Sequence, residues 1–484
     1  MQLSNSYKSL GEDFFIAAQP RKATKPEVFL WNQALADSLG VVSLMESPQQ
    51  VAEIFAGNQL LPNSQPVALA YAGHQFGQFS PRLGDGRAHL LGEITAPNGE
   101  VFDIQLKGSG ATPFSRGGDG LCGMGPAIRE FIMSEAMHAL GVPTSRSLAV
   151  VTTGEQIYRE GPVPGAVVTR VAASHIRVGT FEYFYSQGNQ AAVEALCDFA
   201  IARHYPQLSE QTGEQKYLEF LKAVFARQIT LVCEWLRVGF IHGVMNTDNT
   251  AISGETIDYG PCAMMSAYNP NTVYSSIDGM GRYRYGKQPA IAQWNMARLT
   301  ECFLPLLHPE PEKATQLGEQ LLVDFVKDLE TAYHQMITGK AGLVTADAEA
   351  INLCNDFLQH LRKNALDYTN SYDRLTRSLQ EPEQATALQQ ELGDWYSQWQ
   401  ARLQSQELPT SEVAANMRAQ NPSVIPRNHH MEAVIAESIA TGSPDAAEAW
   451  LKVLRKPYEM QATTANFQNP PVDGDRNYQT FCGT

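Results

Sequence analysis

The chain has 484 residues, 43% of them hydrophobic, and a formal net charge of −15, which argues against a broad nucleic-acid footprint. No apolar run approaches the ~20 residues that span a bilayer, and MQLSNSYKSL at the start lacks the charged-then-apolar order of a secretory signal. Seven scattered cysteines without C-x-x-C spacing outline neither a zinc site nor a disulfide framework, so the expectation is a soluble cytoplasmic protein without nucleic-acid or membrane partners.

In chain order, Gly77-Gln-Phe-Ser-Pro-Arg-Leu-Gly-Asp-Gly-Arg87 reads as a glycine-bearing turn feeding the run Ala88–Ile94. Such a turn can carry backbone N–H groups and an arginine to a phosphate, or simply connect strands. Val101–Lys107 alternates, with Phe102, Ile104 and Leu106 on one face and Asp103, Gln105 and Lys107 on the other, which predicts a strand stopped by Gly108. Arg116–Gly125 is a second glycine-rich segment. Pro126–Leu140 predicts a helix ended by Gly141, with an apolar stripe of Ile128, Ile132, Met133, Ala136, Met137 and Leu140. Glu130 in its first turns is placed to pair with Lys107. Glu135 is the alternative partner, and a solvated helix carboxylate is the plain reading of either.

Tyr217–Val238 predicts a buried helix closed by Gly239, delivering His242-Gly-Val-Met-Asn-Thr-Asp-Asn249 and then Asp258-Tyr-Gly260. This order is similar to the protein-kinase pattern H-R-D-x-x-x-x-N followed by D-F-G, in which the Asn and the later Asp hold magnesium. His242, Asn249 and Asp258 take three of those places, and Val244 stands where the catalytic Asp belongs. A valine accepts no proton. Either phosphoryl transfer is lost or a neighbour, Asp248 being the candidate, has taken the role; turn-capping by Asx residues is the plain reading. Further on, Gln316–Met336, Ala348–Leu366 and Glu383–Leu403 have helical spacing, and 267–288 and 404–423 read as loops. His429-His430 is an isolated pair, expected in a helical turn rather than a metal site.

The segments YAGHQFGQFSPRLGDGRAHLLGE from Tyr71, QLKGSGATPFSRGGDG from Gln105, AIREFIMSEAMHALGVPTSRSL from Ala127, HGVMNTDN, DYGP and NPSVIPRNHHMEAVI from Asn421 resemble the selenoprotein O family of pseudokinase-like protein adenylyltransferases over nearly the whole chain. The resemblance implies an α+β, protein-kinase-like two-lobed fold with an N-terminal extension and additional C-terminal helices, divided here into 1–180 and 181–484. It implies ATP contacts at Gly84, Gly86 and Arg87, a phosphate-binding Lys107 with Glu130 as its ion-pair partner, and further contacts at Asp119 and Gly120. Arg170 and Arg177 would grip the terminal phosphates. Asp248 would be the proton acceptor, kept ionised by nearby cations, and Asn249 and Asp258 would hold Mg2+ or Mn2+, with Asp258 also at the nucleotide. ATP is expected in reverse relative to a kinase, so that AMP passes to Ser, Thr or Tyr of protein substrates and pyrophosphate leaves. UMP transfer from UTP with manganese is also admitted, because nothing in these motifs reads the base. An ATP-binding pseudokinase scaffold and a phosphotransferase using Asp248 stand as alternatives. A monomer is expected. Family members carry selenocysteine or cysteine at the place of Cys482, and Cys262 follows Asp-Tyr-Gly-Pro in the activation-segment region.

Overall fold

The strand expected at Val101–Lys107 forms over those residues, inside an antiparallel sheet. The computed structural model describes residues 3–41 and 47–481. In chain order the first strands are β1 (Phe15–Ala17), β2 (Glu27–Trp31) and β3 (Val67–Leu69); β4 (Gly73–Gln75) and β5 (Gln78–Ser80) make a separate hairpin. Then come β6 (Ala88–Thr95), β7 (Val101–Lys107), β8 (Cys122–Gly123), β9 (Arg146–Tyr158) and β10 (Pro162–Ala172). The sheet order is β1-β3-β6-β7-β10-β9-β2, with β8 paired to β10.

Both faces of β7 are dry. Ile104 and Leu106 join Leu91, Val151 and Val167 against α1 (Gln33–Ser38) and α2 (Pro48–Phe55), through Leu35, Val51 and Phe55. On the opposite face Leu90 lies across from Gln105 and Val168 across from Lys107, and this side packs on Ile128, Phe131 and Ile132 of α3 (Met124–Ala139). The polar side of the strand is therefore enclosed, and its charges must find partners inside the protein. α3 begins two residues before Pro126, which still falls in the first turn, where no intrahelical N–H bond is lost.

The rest is mostly helical: α4 (Val178–Ser186), α5 (Gln190–His204), α6 (Gly213–Val238), the short pair β11 (Phe240–Ile241) and β12 (Ala263–Met264), α7 (Gln288–Leu307) and α8 (Pro311–Lys340). Next are α9 (Ala348–Lys363), α10 (Tyr368–Arg377), α11 (Pro382–Leu392), α12 (Asp394–Gln404), α13 (Thr410–Gln420), α14 (Asn428–Thr441), α15 (Asp445–Leu454) and α16 (Ala465–Gln468). The whole is an α+β fold. No described helix is long and apolar enough to cross a membrane.

α6 ends as expected at Gly239, whose φ of 79° is the left-handed conformation that closes a helix. Three helix expectations need correction. Glu383–Leu403 is two helices, because Gly393 adopts φ 55° and ψ −125° between α11 and α12. The segment 404–423 is not a continuous loop: it contains α13, whose Val413, Ala414 and Met417 are buried. α9 stops at Lys363, short of Leu366, with Ala365 at φ 51°. The C-terminal helices also fix α3 from behind. Arg129 of α3 pairs with Glu432 of α14 and donates to the Tyr478 hydroxyl at 3.3 Å.

Candidate active site

Arg170 lies across from Gln105 on β7 and so projects from the same sheet face as Lys107. Under that face α3 supplies Glu130. Lys107 Nζ donates to Glu130 Oε2 at 2.5 Å, and Arg170 reaches Oε1 through Nε at 2.9 Å and Nη2 at 2.6 Å. Asp258 Oδ1 accepts from Lys107 and from Arg170 Nη2, the latter at 3.2 Å. Lys107, Arg170 and Glu130 are all buried, so two cations and two carboxylates interleave where each needs the others. Burial alone would raise Glu130, but Arg170 and Lys107 outweigh it and hold its pKa below the ordinary 4.5. Burial is likewise overcome at Asp258, where Lys107, Arg170 and Arg87 hold the carboxyl well below its ordinary value. Glu135 is not the lysine's partner: it takes the Arg146 fork at 2.6 and 2.7 Å.

Arg177, the residue before α4, is placed differently. Its guanidinium lies 4.2 Å from the Tyr71 ring centre and Nη2 is 3.6 Å from Asp85 Oδ1. Its Nε is buried, and no described residue accepts from it. Asp85 is already satisfied by the Leu69 amide at 3.2 Å, Gln105 Nε2 at 3.1 Å and the Tyr71 hydroxyl at 3.2 Å. Arg177 is thus held beside Asp85 at 3.6 Å without a hydrogen bond to it, and its buried Nε keeps one donor free for an anion.

The glycine turn forms the facing wall. Gly84 has φ 65°, and a Cβ there would sit 2.2 Å from the Phe114 ring, so the turn closes tightly on that side chain. Thr112 Oγ1 donates to the Asp85 carbonyl at 2.7 Å and Ser115 Oγ to the Gly86 carbonyl. In the second glycine-rich segment, Gly120 has φ 68° and packs on Gly110. Asp119 beside it is held by the Arg159 fork at 2.9 and 3.1 Å, and Arg159, its partner, also lines the opening. These elements surround a cavity of about 340 Å³ that brings together Gly84, Gly86, Arg87, Lys107, Asp119, Gly120, Arg170, Arg177 and Asp258. Glu130 stands behind this lining. Asp248 and Asn249 lie outside it, linked through Gln75, which lines the cavity and donates Nε2 to Asp248 Oδ2 at 3.4 Å.

The loop after α6 is fastened to the segment bearing Asp258. His242 is buried and held neutral by that burial: Nε2 lies 3.0 Å from the Ile257 carbonyl, and Nδ1 accepts from the Val244 amide at 3.3 Å. Asp258 follows with φ 71°, a left-handed turn rare for a residue with a side chain. Val244 contributes its carbonyl, which accepts from Asn249 Nδ2 at 3.1 Å and so orients that amide. Asp248 sits in the one-turn helix Thr247–Asn249 and is only 8% exposed. Burial pushes its pKa up to about 6, against the pull of Arg177. The carboxyl therefore titrates above its ordinary range yet below neutrality, which leaves it ionised at pH 7 as a proton acceptor requires.

Oxygens remain free on the residues expected to hold a metal ion and on their neighbour Asp248. Asp258 Oδ2 makes no hydrogen bond with a described residue, Asn249 turns its NH2 group away, and Asp248 Oδ1 is buried without a partner. An all-oxygen set of this kind suits a hard divalent cation. Among the described residues no group of three or more His, Cys, Asp or Glu is arranged to hold a metal ion. Sequence reasoning missed Asp85, Gln105, Tyr71, Gln75 and Arg159. The signals were present for two of them, since Asp85 lies between two expected glycines and Gln105 shares a strand face with Lys107. Cys262 is buried, its thiol pushed up to about 12 by that burial, and Cys482 lies outside the described residues.

A glycine-walled cavity lined by Lys107 and several arginines, Arg87, Arg170 and Arg177 among them, suits a phosphorylated co-substrate, and comparison with known proteins gives the class, the protein nucleotidyltransferases. The family model "Protein adenylyltransferase SelO" matches residues 1–455. A protein nucleotidyltransferase YdiU of Teredinibacter turnerae is 65% identical over the full length of both chains. Those of Pseudoalteromonas translucida and Anoxybacillus flavithermus are each 48% identical, covering 100% of both chains in the first case and 99% and 98% in the second. The chain belongs to the SelO family and is a protein nucleotidyltransferase with a nucleotide co-substrate.

Proposed function

We propose that the chain transfers AMP from ATP to Ser, Thr or Tyr hydroxyls of proteins, within a kinase-like two-lobed arrangement divided near residue 180. The observation that carries this reading is the convergence of Arg87, Lys107, Arg170 and Arg177 on one cavity, with the Arg177 Nε donor buried and unpartnered. Lys107 and Arg170 are balanced by Glu130 and Asp258, so Arg87 and Arg177 add cationic forks beyond that cluster, which suits a triphosphate tail bound deep in the site. With the β- and γ-phosphates held there, the α-phosphorus faces the acceptor. The acceptor oxygen then bonds to the α-phosphorus, the bond to the bridging oxygen breaks, and pyrophosphate leaves. Glu130 keeps Lys107 and Arg170 extended, Asp85 and Tyr71 orient Arg177, and Asp248 takes the hydroxyl proton. Asn249 and Asp258 would hold Mg2+ or Mn2+, which when bound offsets phosphate charge. UTP would fit the same phosphate contacts.

Asp248→Asn tests the assignment. It is expected to keep ATP binding and thermal stability while losing roughly 10²-fold or more of the transfer rate, the scale of a removed general base. Near-full activity in that variant would reject Asp248 as the base.

A further inference from the structure

Three consecutive residues of the β4–β5 turn join Asp248 to a surface patch that the transfer chemistry leaves unused. Gln75 donates to Asp248, and the Phe76 amide donates to Asn246 Oδ1 at 3.0 Å and to the Tyr283 hydroxyl at 3.1 Å. Gly77 lies against Arg282, whose Cζ would be 3.3 Å from a Cβ at that position. The Arg282 guanidinium is stacked 4.8 Å from the half-buried Trp294 ring of α7, Arg298 covers that ring at 5.0 Å, and His74 meets it edge-on at 5.1 Å. Arg298 is paired with Glu301 at 2.6 Å. Arg282 is half-buried and pairs with no described carboxylate; its Nε and Nη2 are enclosed without a hydrogen-bond partner, which leaves Nη1 as the donor that an incoming anion would meet first. The nearby carboxylates are otherwise engaged. Glu182 takes His74 at 2.6 Å and the Thr247 hydroxyl, and Asp278 takes the Arg282 and Tyr283 backbone amides, each at 2.8 Å. Around the patch Phe79 is 41% exposed, and Ile277 and Met280, just before Arg282, are 51% and 92% exposed.

A guanidinium stacked on an indole and left unpaired, in a chain of net charge −15, lacks the anion its surroundings could easily have provided. We propose that the Arg282–Trp294 patch seats the acceptor protein, and that Arg282 pairs with an Asp or Glu side chain lying close in sequence to the hydroxyl to be modified. The proposal rests on the reading of Asp248 as the group facing that hydroxyl. Arg282 is also coupled to the loop it would serve, because the neighbouring Tyr283 hydroxyl donates to Asn246 Oδ1 at 2.6 Å, two residues before Asp248. The exposed apolar groups beside it give the contact the mixed character of a protein interface, an aromatic and arginine centre with charge selecting the partner.

The test uses the full chain and synthetic peptides, each with one acceptor hydroxyl flanked by Glu, Ala or Lys, and ATP labelled at the α-phosphorus. Wild type is expected to favour Glu-flanked over Lys-flanked peptides by about tenfold or more in kcat/KM, with the ratio shrinking as salt rises. Arg282→Gln should bring the ratio near one by raising the KM for Glu-flanked peptides, with the KM for ATP unchanged. Arg282→Glu should reverse the preference. Were either variant to fold poorly, the wild-type ratio and its salt dependence would still decide. No preference in wild type, or an unchanged ratio in folded Arg282→Gln, overturns the proposal. Label entering intact proteins but no peptide overturns this docking mode and leaves AMP transfer standing, whereas α-label on no acceptor at all overturns both.

Discussion

Replacing Glu130 with glutamine removes one charge from the most crowded part of the site while keeping its shape. Glu130 takes Lys107 at 2.5 Å and Arg170 at 2.9 and 2.6 Å, with all three side chains buried. The substitution leaves two buried cations to share Asp258, and one-sided loss of a buried partner costs on the order of 3–5 kcal/mol. The loss has a defined pH dependence. Burial works to raise the Glu130 pKa, but Arg170 and Lys107 bring it below 4.5, so its contribution is present above the unfolded value and disappears as pH falls through the folded one. The stability gap between wild type and Glu130→Gln should therefore be widest near neutrality and close on acidification below about pH 4.5. Nucleotide acts in the opposite direction. A triphosphate supplies the missing negative charge, so ATP should raise the melting temperature of the variant by more than that of wild type, while transfer falls because Lys107 has lost its tether. Urea titrations and melts from pH 8 down to about pH 2, with and without ATP, measure all of this. Wild-type stability of the variant at pH 7, or a gap that widens in acid, would refute the interleaved-charge account.

Gly84→Ala drives a Cβ toward the Phe114 ring from a backbone at φ 65°; strain of ~1–3 kcal/mol should spoil the cavity wall and raise the KM for ATP more than it lowers kcat, as steady-state kinetics will show. Asp258→Ala should abolish transfer with the fold largely intact, and wild-type-like transfer at equal folded concentration would reject Asp258 as a metal ligand. Glu255 gives a pH prediction of opposite sign to Glu130. Burial pushes its pKa up to about 7, so the folded state holds a proton that the unfolded chain has released, and stability is lost as pH rises from the ordinary 4.5 through about 7. Glu255→Gln should flatten that part of the melting-temperature profile and be the more stable protein at pH 8.

Where a signal was local, the sequence alone located it. The α6 stripe and Gly239 placed the helix that delivers the loop, and the alternation of Val101–Lys107 put Lys107 on the face that meets α3. What stayed hidden depended on partners distant in the chain. Nothing near Glu130 or Glu135 tells which one meets Lys107; that follows from Arg146, which claims Glu135 from the start of β9. Asp248 is raised by burial, with Gly73 lying directly against its carboxylate, an enclosure made by a residue far upstream. α13 escaped detection because Pro409 and Pro422 bracket it and only three of its residues are buried, too few for a visible period. Gly393 could be read either as a tolerated helix glycine or as a break, and only its backbone conformation decides.

The central claim is the polarity of the nucleotide, and paired incubations with ATP labelled at the α- or the γ-phosphorus test it most directly. With Lys107, Arg170 and Arg177 holding the terminal phosphates, the account predicts α-label on the acceptor protein, a mass gain of AMP and release of pyrophosphate. γ-Label on the acceptor with ADP as product would contradict it and make the chain a phosphotransferase.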